Sequence, residues 1–194
     1  MVHDAVPDRG DPRALVYSSD GEKVYELAGA KSPVISGNGR WVAAQLSVPA
    51  SELLVSEKGK DEGPKTGLIL LNTSSCNQSS YENVRSFSFS NDSRWLASHK
   101  HSEKENKSKD KEKQSVLKEG TTLSLLDLEK ESDWEFTFVT SYAFDSLSQH
   151  LAFVVADTGN GGNGIYVLDL SDSSLEPLPL YTDSSAWGLM ACVV

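Results

Sequence analysis

The sequence is poor in cysteine and in basic residues. Its two cysteines, Cys76 and Cys192, form neither a disulfide framework nor a zinc-binding spacing. The 18 basic residues are outnumbered by 28 acidic residues, which gives a formal net charge of -10. An acidic surface repels nucleic acid and anionic lipid, so we expect neither as a partner.

The sequence also lacks long apolar runs and helix signals. No apolar run approaches the roughly 20 residues that cross a bilayer, and residues 1–14 lack the apolar core of a signal peptide. Only Ser51 to Lys58 and Lys109 to Lys118 are candidates for brief helical turns, and neither has a long apolar stripe. We expect a soluble protein built from strands, and the sequence indicates no particular compartment.

What the sequence does contain is one β-hairpin motif in three copies. The central copy, VRSFSFSNDSRWLASH at 84–99, alternates apolar and polar residues, turns at Asn91-Asp92-Ser93 and restarts as an apolar strand at Trp95. The other copies read PVISGNGRWVAA at 33–44 and SYAFDSLSQHLAF at 141–153. A second strand signature follows each copy: LILLN at 68–72, LSLLD at 123–127 and IYVLD at 165–169. Two ordered motifs that recur together indicate a repeat protein.

The repeats divide the chain into approximate units. A loose lead-in over residues 1–13 is expected to precede a half unit, and a new unit is expected to open with a first strand at Ser184 to Trp187. The predicted units are 14–31 (half), 32–82, 83–138, 139–180 and 181–194 (the start of a further one). Charged excursions at 47–66 and 100–119 are interpreted as exposed loops.

Four strands per unit of roughly 40 to 55 residues is typical of β-propeller blades. We therefore predict that residues 1–194 form an all-β propeller segment, with about three four-stranded antiparallel blades and an incomplete ring. The first strand of each blade would line the central channel, and Trp41 and Trp95 would pack between neighbouring sheets. A sandwich of two packed sheets is the alternative fold.

The motif of a strand, a short Asn/Asp/Gly turn, a basic residue and then Trp and Ala resembles the blades of TolB-like and prolyl-oligopeptidase propellers. It stands here as ISGNGRWVAA and FSFSNDSRWLAS, and more loosely as YAFDSLSQHLAF. The order of the chain over roughly 14–187 is similar to the N-terminal propeller of bacterial serine peptidases of the prolyl oligopeptidase family. In that family the propeller caps an α/β-hydrolase domain that carries the catalytic Ser, Asp and His.

The resemblance implies a non-catalytic propeller segment that gates substrate access and contacts a hydrolase domain. The implied partners are that domain and, in the parent protein, a peptide substrate. The chain has no Gly-x-Ser-x-Gly, so no catalytic residue of the family maps onto it. The alternative function is a TolB-like or WD-repeat-like protein-binding scaffold with no enzyme attached.

Two sequence patterns resemble binding sites but have simpler explanations. The run at 159–164 matches G-x-G-x-x-G, but a strand follows where a dinucleotide site needs a helix, so we interpret it as a hairpin loop. His99 and His101 share one face of an extended segment, but neighbouring lysines favour a solvated loop start over a metal site. We predict no metal site and no cofactor.

Other polar residues are also given structural interpretations. The lysines of 100–118 alternate with acidic residues and lack stacking aromatics, which argues against a nucleic-acid arm. Glycosylation sequons at Asn72, Asn77, Asn91 and Asn106 are interpreted as chance matches in a serine-rich chain. The residues that follow the third strand of each unit, Asn72, Asp127 and Asp169, are predicted to form turns rather than to act in acid–base chemistry.

An open set of blades leaves apolar faces uncovered, because repeat architectures draw their stability from contacts between neighbours. We therefore expect the isolated chain to be marginally stable or to self-associate. A further possibility is that two copies pair to complete a ring.

Overall fold

The computed structural model describes residues 1–5, 11–49, 65–102, 119–157 and 162–182. Within these ranges every regular element is a β-strand. The chain divides into two compact units, residues 1–89 and 90–194. None of the described residues forms an apolar helix of membrane-spanning length.

The described residues of the first unit form eight strands: β1 (Val2–Ala5), β2 (Arg13–Tyr17), β3 (Lys23–Ala28), β4 (Ala30–Ile35), β5 (Trp41–Leu46), β6 (Gly67–Asn72), β7 (Gln78–Tyr81) and β8 (Val84–Phe89). Six strands lie in the described part of the second unit: β9 (Trp95–Lys100), β10 (Thr121–Asp127), β11 (Ser132–Phe144), β12 (His150–Val155), β13 (Gly164–Asp169) and β14 (Leu178–Thr182). The boundary between the units falls between β8 and β9.

The strands follow one another in chain order within three sheets. Strands β1 to β3 form a three-stranded sheet, β4 to β7 a four-stranded sheet, and β8 to β14 a seven-stranded sheet. Strand β11 serves two blades, since its first half pairs with β10 and its second half with β12. Phe138, at the division, has a left-handed φ of 59°. The strands in the described ranges thus amount to three four-stranded blades and one blade of three strands.

Left-handed residues mark the passage from one blade to the next. Gly29 (φ 70°), Asn83 (φ 62°) and Phe138 (φ 59°) each stand between an outer strand and the following inner strand. A second set marks the turn of the repeated hairpin: Gly39 (φ 71°), Ser93 (φ 67°) and Ser148 (φ 57°). The sequence repeat is therefore also a repeat of backbone conformation, although glycine occupies only the first position of each set.

A close backbone approach recurs where the third strand of each four-stranded blade begins. A Cβ at Gly67 would lie 2.7 Å from the carbonyl oxygen of Tyr81. A Cβ at Gly120 or Gly164 would overlap the carbonyl oxygen of the outer-strand aromatic opposite, Phe138 or Tyr181 respectively. Glycine is required at these positions because the outer strand crosses directly over them.

Apolar faces of successive blades form one core in each unit. The first core contains Ala14, Val16, Leu27, Ala30, Val42, Ala44, Ile69 and Leu71. The second contains Trp95, Ala97, Leu123, Leu125, Val139, Leu151, Phe153, Leu168, Leu170 and Leu175. Trp95 is buried as predicted, with its ring centroid 5.9 Å from that of Trp134, whereas Trp41 is only half-buried and lies outside the core cluster.

The prediction of a loose lead-in over residues 1–13 is wrong at both ends. Val2–Ala5 forms β1, which pairs antiparallel with β2, and Arg13 is already the first residue of β2. The pairing was not apparent from VHDA, which is too short and too polar to show a strand pattern. The excursions and candidate helical turns lie largely outside the described residues.

Candidate functional site

The repeated hairpin is held by the same hydrogen bond in all three copies. A side-chain oxygen at the end of the inner strand accepts from the backbone amide five residues later. The pairs are Ser36 Oγ with Trp41 N at 3.0 Å, Ser90 Oγ with Trp95 N at 2.9 Å, and Asp145 Oδ1 with His150 N at 3.0 Å. Ser36 and Ser90 are each only 2% exposed. These serines are turn-capping groups and not accessible nucleophiles.

Hydrogen bonds also join the hairpin turns of the two blades in the second unit. The Asn91 side-chain amide donates to the Ser146 carbonyl at 3.1 Å, and the Asp92 backbone amide donates to Ser148 Oγ at 3.0 Å. This end of the unit is therefore stabilised by polar turn contacts between blades.

The residue at the end of the third strand begins a turn in each of the three sequence repeats, as predicted. Asn72 Oδ1 accepts from the amides of Ser74 and Ser75 at 2.9 and 3.1 Å. Asp127 Oδ1 accepts from the amides of Glu129 and Lys130 at the same two distances. In the third sequence repeat, Asp169 Oδ1 accepts from the Ser171 amide at 2.9 Å. The shared task is to satisfy amides at the start of a turn.

Asp127 differs from its counterparts because it also binds an arginine. Arg94 Nη2 and Nε lie 2.8 and 3.2 Å from Asp127 Oδ2, and the Asp127 side chain is fully buried. The Arg94 guanidinium carbon also lies 4.7 Å from the centroid of the Trp95 ring. Burial alone would raise the pKa of Asp127, but the hydrogen bonds from Arg94 and the two turn amides hold that pKa below its ordinary value.

His99 is buried inside the second unit, which contradicts the predicted solvated loop start. It lies in β9 and is 2% exposed, with Nε2 at 2.8 Å from the carbonyl oxygen of Val139. Its ring and the Tyr142 ring form a T-shaped pair at a centroid distance of 5.9 Å, and the Tyr142 hydroxyl donates to the Ala97 carbonyl at 3.4 Å. His99 is buried because strand β9 continues through Lys100. The lysine-rich sequence that follows gave no indication that the strand extends so far. His101, just beyond β9, is half-buried.

A second histidine forms a carboxylate pair that resembles part of a catalytic triad. His150 Nδ1 lies 3.4 Å from Asp145 Oδ2, and both side chains are partly exposed. The same carboxylate caps the hairpin turn, and the hydrogen bond from the His150 amide lowers the pKa of Asp145. In the part of the chain that the structure describes, no serine or cysteine forms a hydrogen bond with the His150 ring. The pair therefore lacks the nucleophile that a triad needs.

The remaining candidate sites have no ligand-binding geometry that the structure describes. The described residues contain no group of three or more potential metal ligands. The first residues of the G-x-G-x-x-G run lie outside the described ranges, but Gly164 begins β13, as a hairpin loop requires. Asn77 and Asn91 are exposed and Asn72 is half-buried in its turn, whereas Asn106 and Cys192 lie outside the described residues.

One shallow depression lies on the last described blade. Its volume is about 170 Å³, and its lining comes from β11, β12 and β13: Ser141, Tyr142, Ala143, Ala152, Phe153, Val154 and Ile165. It contains no ionisable side chain suited to acid–base chemistry.

Comparison with known proteins identifies the fold. The chain matches the β-propeller domain of the Trilobed protease from Pyrococcus furiosus with a TM-score of 0.50 and 12% identity, covering 94% of this chain and 53% of that one. It also matches an acylaminoacyl peptidase from Pyrococcus horikoshii (TM-score 0.48, 15% identity, 89% and 28% covered). A further match comes from a structural study of two prolyl endopeptidases (TM-score 0.45, 10% identity, 80% and 22% covered).

No protein-family model and no curated protein matches the sequence. The chain spans about half the length of the Trilobed protease propeller. At these identities the likeness establishes the fold alone. The predicted fold class is confirmed: this is an all-β chain with the antiparallel blades of a β-propeller, short of a complete ring.

Proposed function

We propose that the chain is a non-catalytic propeller segment of a prolyl oligopeptidase-like serine peptidase. The observation that carries the proposal is the match over 94% of the chain to the propeller of a protease. The blade motif in the sequence supports the same context independently. In the parent protein this segment limits the access of peptides and contacts an α/β-hydrolase domain.

The side-chain chemistry of the described residues is consistent with this passive role. The repeated serines cap turns, and the buried carboxylate Asp127 is neutralised by Arg94. Among the described residues, no serine or cysteine forms a hydrogen bond with the His150 ring of the His150–Asp145 pair. Hydrolysis therefore has to come from a separate domain that supplies the serine, the acid and the base.

The coding sequence downstream of Val194 provides the test. The expected result is an open frame that encodes further blades and then a Gly-x-Ser-x-Gly segment, because the nucleophile serine sits at such a strand-to-helix turn. A frame that ends without that motif, after further blades or none, would overturn the peptidase proposal. It would favour the TolB-like or WD-repeat-like scaffold instead.

A further inference from the structure

The hairpin turn of the first sequence repeat contains an Asn-Gly pair, Asn38-Gly39, on the protein surface. The Asn38 side chain is exposed, and Gly39 adopts a left-handed φ of 71°. In an Asn-Gly pair the side-chain carbonyl carbon of asparagine is readily attacked by the next backbone nitrogen, because glycine has no side chain to shield that nitrogen. The pair is therefore a candidate for covalent change as well as a turn signal.

The hydrogen bonds of Asn38 favour attack at its side-chain carbonyl. Asn38 Oδ1 accepts from Ser36 Oγ at 2.9 Å and from the Arg40 backbone amide at 3.0 Å. Attack by nitrogen places negative charge on Oδ1, and two donors directed at that oxygen stabilise the charge. The Gly39 amide donates to the Ser36 carbonyl at 2.8 Å, and this bond has to open before the nitrogen can attack. Because the turn is exposed, such local opening costs little free energy.

The turn of the second repeat shows that an aspartate fits the position of Asn38. Asp92 occupies the equivalent place, and its Oδ1 accepts from Ser90 Oγ and from the Arg94 amide, the latter at 3.1 Å. The Ser93 amide closes this turn on the Ser90 carbonyl at 3.0 Å, as the glycine amide does in the first repeat. An aspartyl side chain at position 38 can therefore keep both of the hydrogen bonds that Asn38 Oδ1 accepts from the turn.

A second Asn-Gly pair within the described residues, Asn163-Gly164, has the opposite environment. Asn163 is 2% exposed, and its Oδ1 accepts from the Asp157 amide at 2.6 Å. Gly164 begins β13 and lies against the Tyr181 carbonyl, which an added Cβ would overlap. The Asn163 side chain cannot turn onto the Gly164 nitrogen without disrupting this packing. The two pairs thus share a sequence but differ in access.

We propose that Asn38 is a site of spontaneous deamidation, and that the turn keeps its conformation with the aspartyl product but not with the iso-aspartyl product. The Gly39 nitrogen bonds to Asn38 Cγ and loses its proton, and the side-chain nitrogen leaves as ammonia, which closes a succinimide ring. Water then opens the ring at either carbonyl, and no oxidant or reductant is needed. Each event adds a negative charge to the chain.

The two products differ in the length of the backbone. Opening that breaks the bond between the Gly39 nitrogen and Cγ restores the normal backbone and leaves an aspartate, as in the turn of Asp92. Opening at the other carbonyl leaves Gly39 attached through Cγ, so the backbone gains a methylene group. The Ser36 amide donates to the Trp41 carbonyl at 2.9 Å, and the Trp41 amide donates to Ser36 Oγ at 3.0 Å. A longer turn cannot satisfy these bonds together with that of Gly39. This inference does not depend on the peptidase context proposed above.

Mass spectrometry of the folded 194-residue chain, aged in mildly alkaline buffer, tests the site. Fragmentation assigns each replacement of an amide nitrogen by oxygen to a residue. Deamidation at Asn38 should be at least about tenfold faster than at Asn163, because burial and packing raise the barrier at the second pair. Equal rates would show that the reaction proceeds through the unfolded chain and would overturn the proposal.

The matched control is Gly39→Ser. The second repeat has Ser93 at this position with a similar left-handed φ of 67°, and an added Cβ at Gly39 meets nothing within 4 Å. The hydroxymethyl group shields the attacking nitrogen, so deamidation at Asn38 should slow at least about fivefold. An unchanged rate would exclude attack by the nitrogen of residue 39.

Thermal unfolding tests the fate of the two products. Asn38→Asp reproduces the aspartyl product and should unfold at the temperature of the parent chain. In the aged parent chain, a component that unfolds at lower temperature should grow in proportion to the iso-aspartyl content. A lower unfolding temperature for Asn38→Asp would exclude the fit to the Asp92 turn, and an iso-aspartyl fraction that unfolds with the parent would exclude the need for a normal backbone.

Discussion

At the residue scale, one of three equivalent turn residues, Asp127, also forms an ion pair. Asn72, Asp127 and Asp169 all accept backbone amides, but only the Asp127 carboxylate binds an arginine among the contacts that the structure describes. In the first unit the counterpart of Arg94 is Arg40, which lies in the hairpin before Asn72 and is exposed. The negative charge of Asp127 therefore allows Arg94 to form an ion pair at this turn.

Asp127→Ala should destabilise the second unit by about 3 kcal/mol, because it leaves two turn amides and a partly buried guanidinium without their acceptor. Chemical denaturation measures the loss. Asp169→Ala is the matched control: it occupies the same turn position but lacks an arginine, and should cost about 1 kcal/mol. Equal losses for the two variants would contradict the assigned importance of the ion pair.

The pKa of Asp127 is lowered in the folded chain, and this determines whether its contribution to the free energy of unfolding rises or falls with pH. The unfolded state binds the proton more readily, so the stabilising contribution is present above the unfolded pKa of about 3.9 and is lost as the pH falls through the folded value. Unfolding free energies measured from pH 6 down to pH 3 should fall less steeply in Asp127→Asn than in the parent chain. Parallel profiles would exclude Asp127 as a contributor.

The glycine beneath Phe138 provides another prediction at the residue scale. Gly120→Ala should cost about 2 kcal/mol or more, because the added methyl group overlaps the Phe138 carbonyl and the backbone must move. The control is Gly162→Ala, where the methyl group would meet only the Tyr166 hydroxyl at 3.8 Å. Thermal unfolding compares the two, and a neutral Gly120→Ala would contradict the close approach.

At the element scale, the repeated hairpin depends on its capping side chain. Ser90→Ala removes the acceptor for the buried Trp95 amide and should destabilise the second unit by about 1–2 kcal/mol. Ser146→Ala is the control, since Asn91 uses the carbonyl of Ser146 and not its hydroxyl. A Ser90→Ala chain as stable as Ser146→Ala would show that the cap is dispensable.

Strands with clear alternation could be predicted from the sequence, and others could not. The copies around Trp41, Trp95 and His150 all form the expected second strands, β5, β9 and β12. Strand β1 was missed because the four residues VHDA are too few to show a hydrophobic period. They form a strand because they pair with β2. The continuity of β11 across two blades was missed for another reason. Phe138 adopts a left-handed backbone conformation, which phenylalanine does not favour.

At the scale of the whole molecule, a propeller segment without a hydrolase domain should be inert. The purified chain should neither hydrolyse peptide or N-acylated p-nitroanilides above the uncatalysed rate nor be labelled by a fluorophosphonate. The decisive control is His150→Ala, with His3→Ala as the matched exposed histidine. Hydrolysis that disappears in His150→Ala alone would show that the Asp145 pair is catalytic after all.

The sequence by itself determined the repeat, its strand class and its turn chemistry, because period-two alternation and Asn/Asp/Gly turns are local properties of the chain. It also predicted the turn role of Asn72, Asp127 and Asp169, since each depends on amides two or three residues away. Only the tertiary structure decided that His99 is buried, that Asp127 is paired and that Gly120 lies against the backbone of Phe138. Each of these depends on atoms 18 to 40 residues distant in sequence, Val139, Arg94 and Phe138, and no local pattern encodes such an encounter.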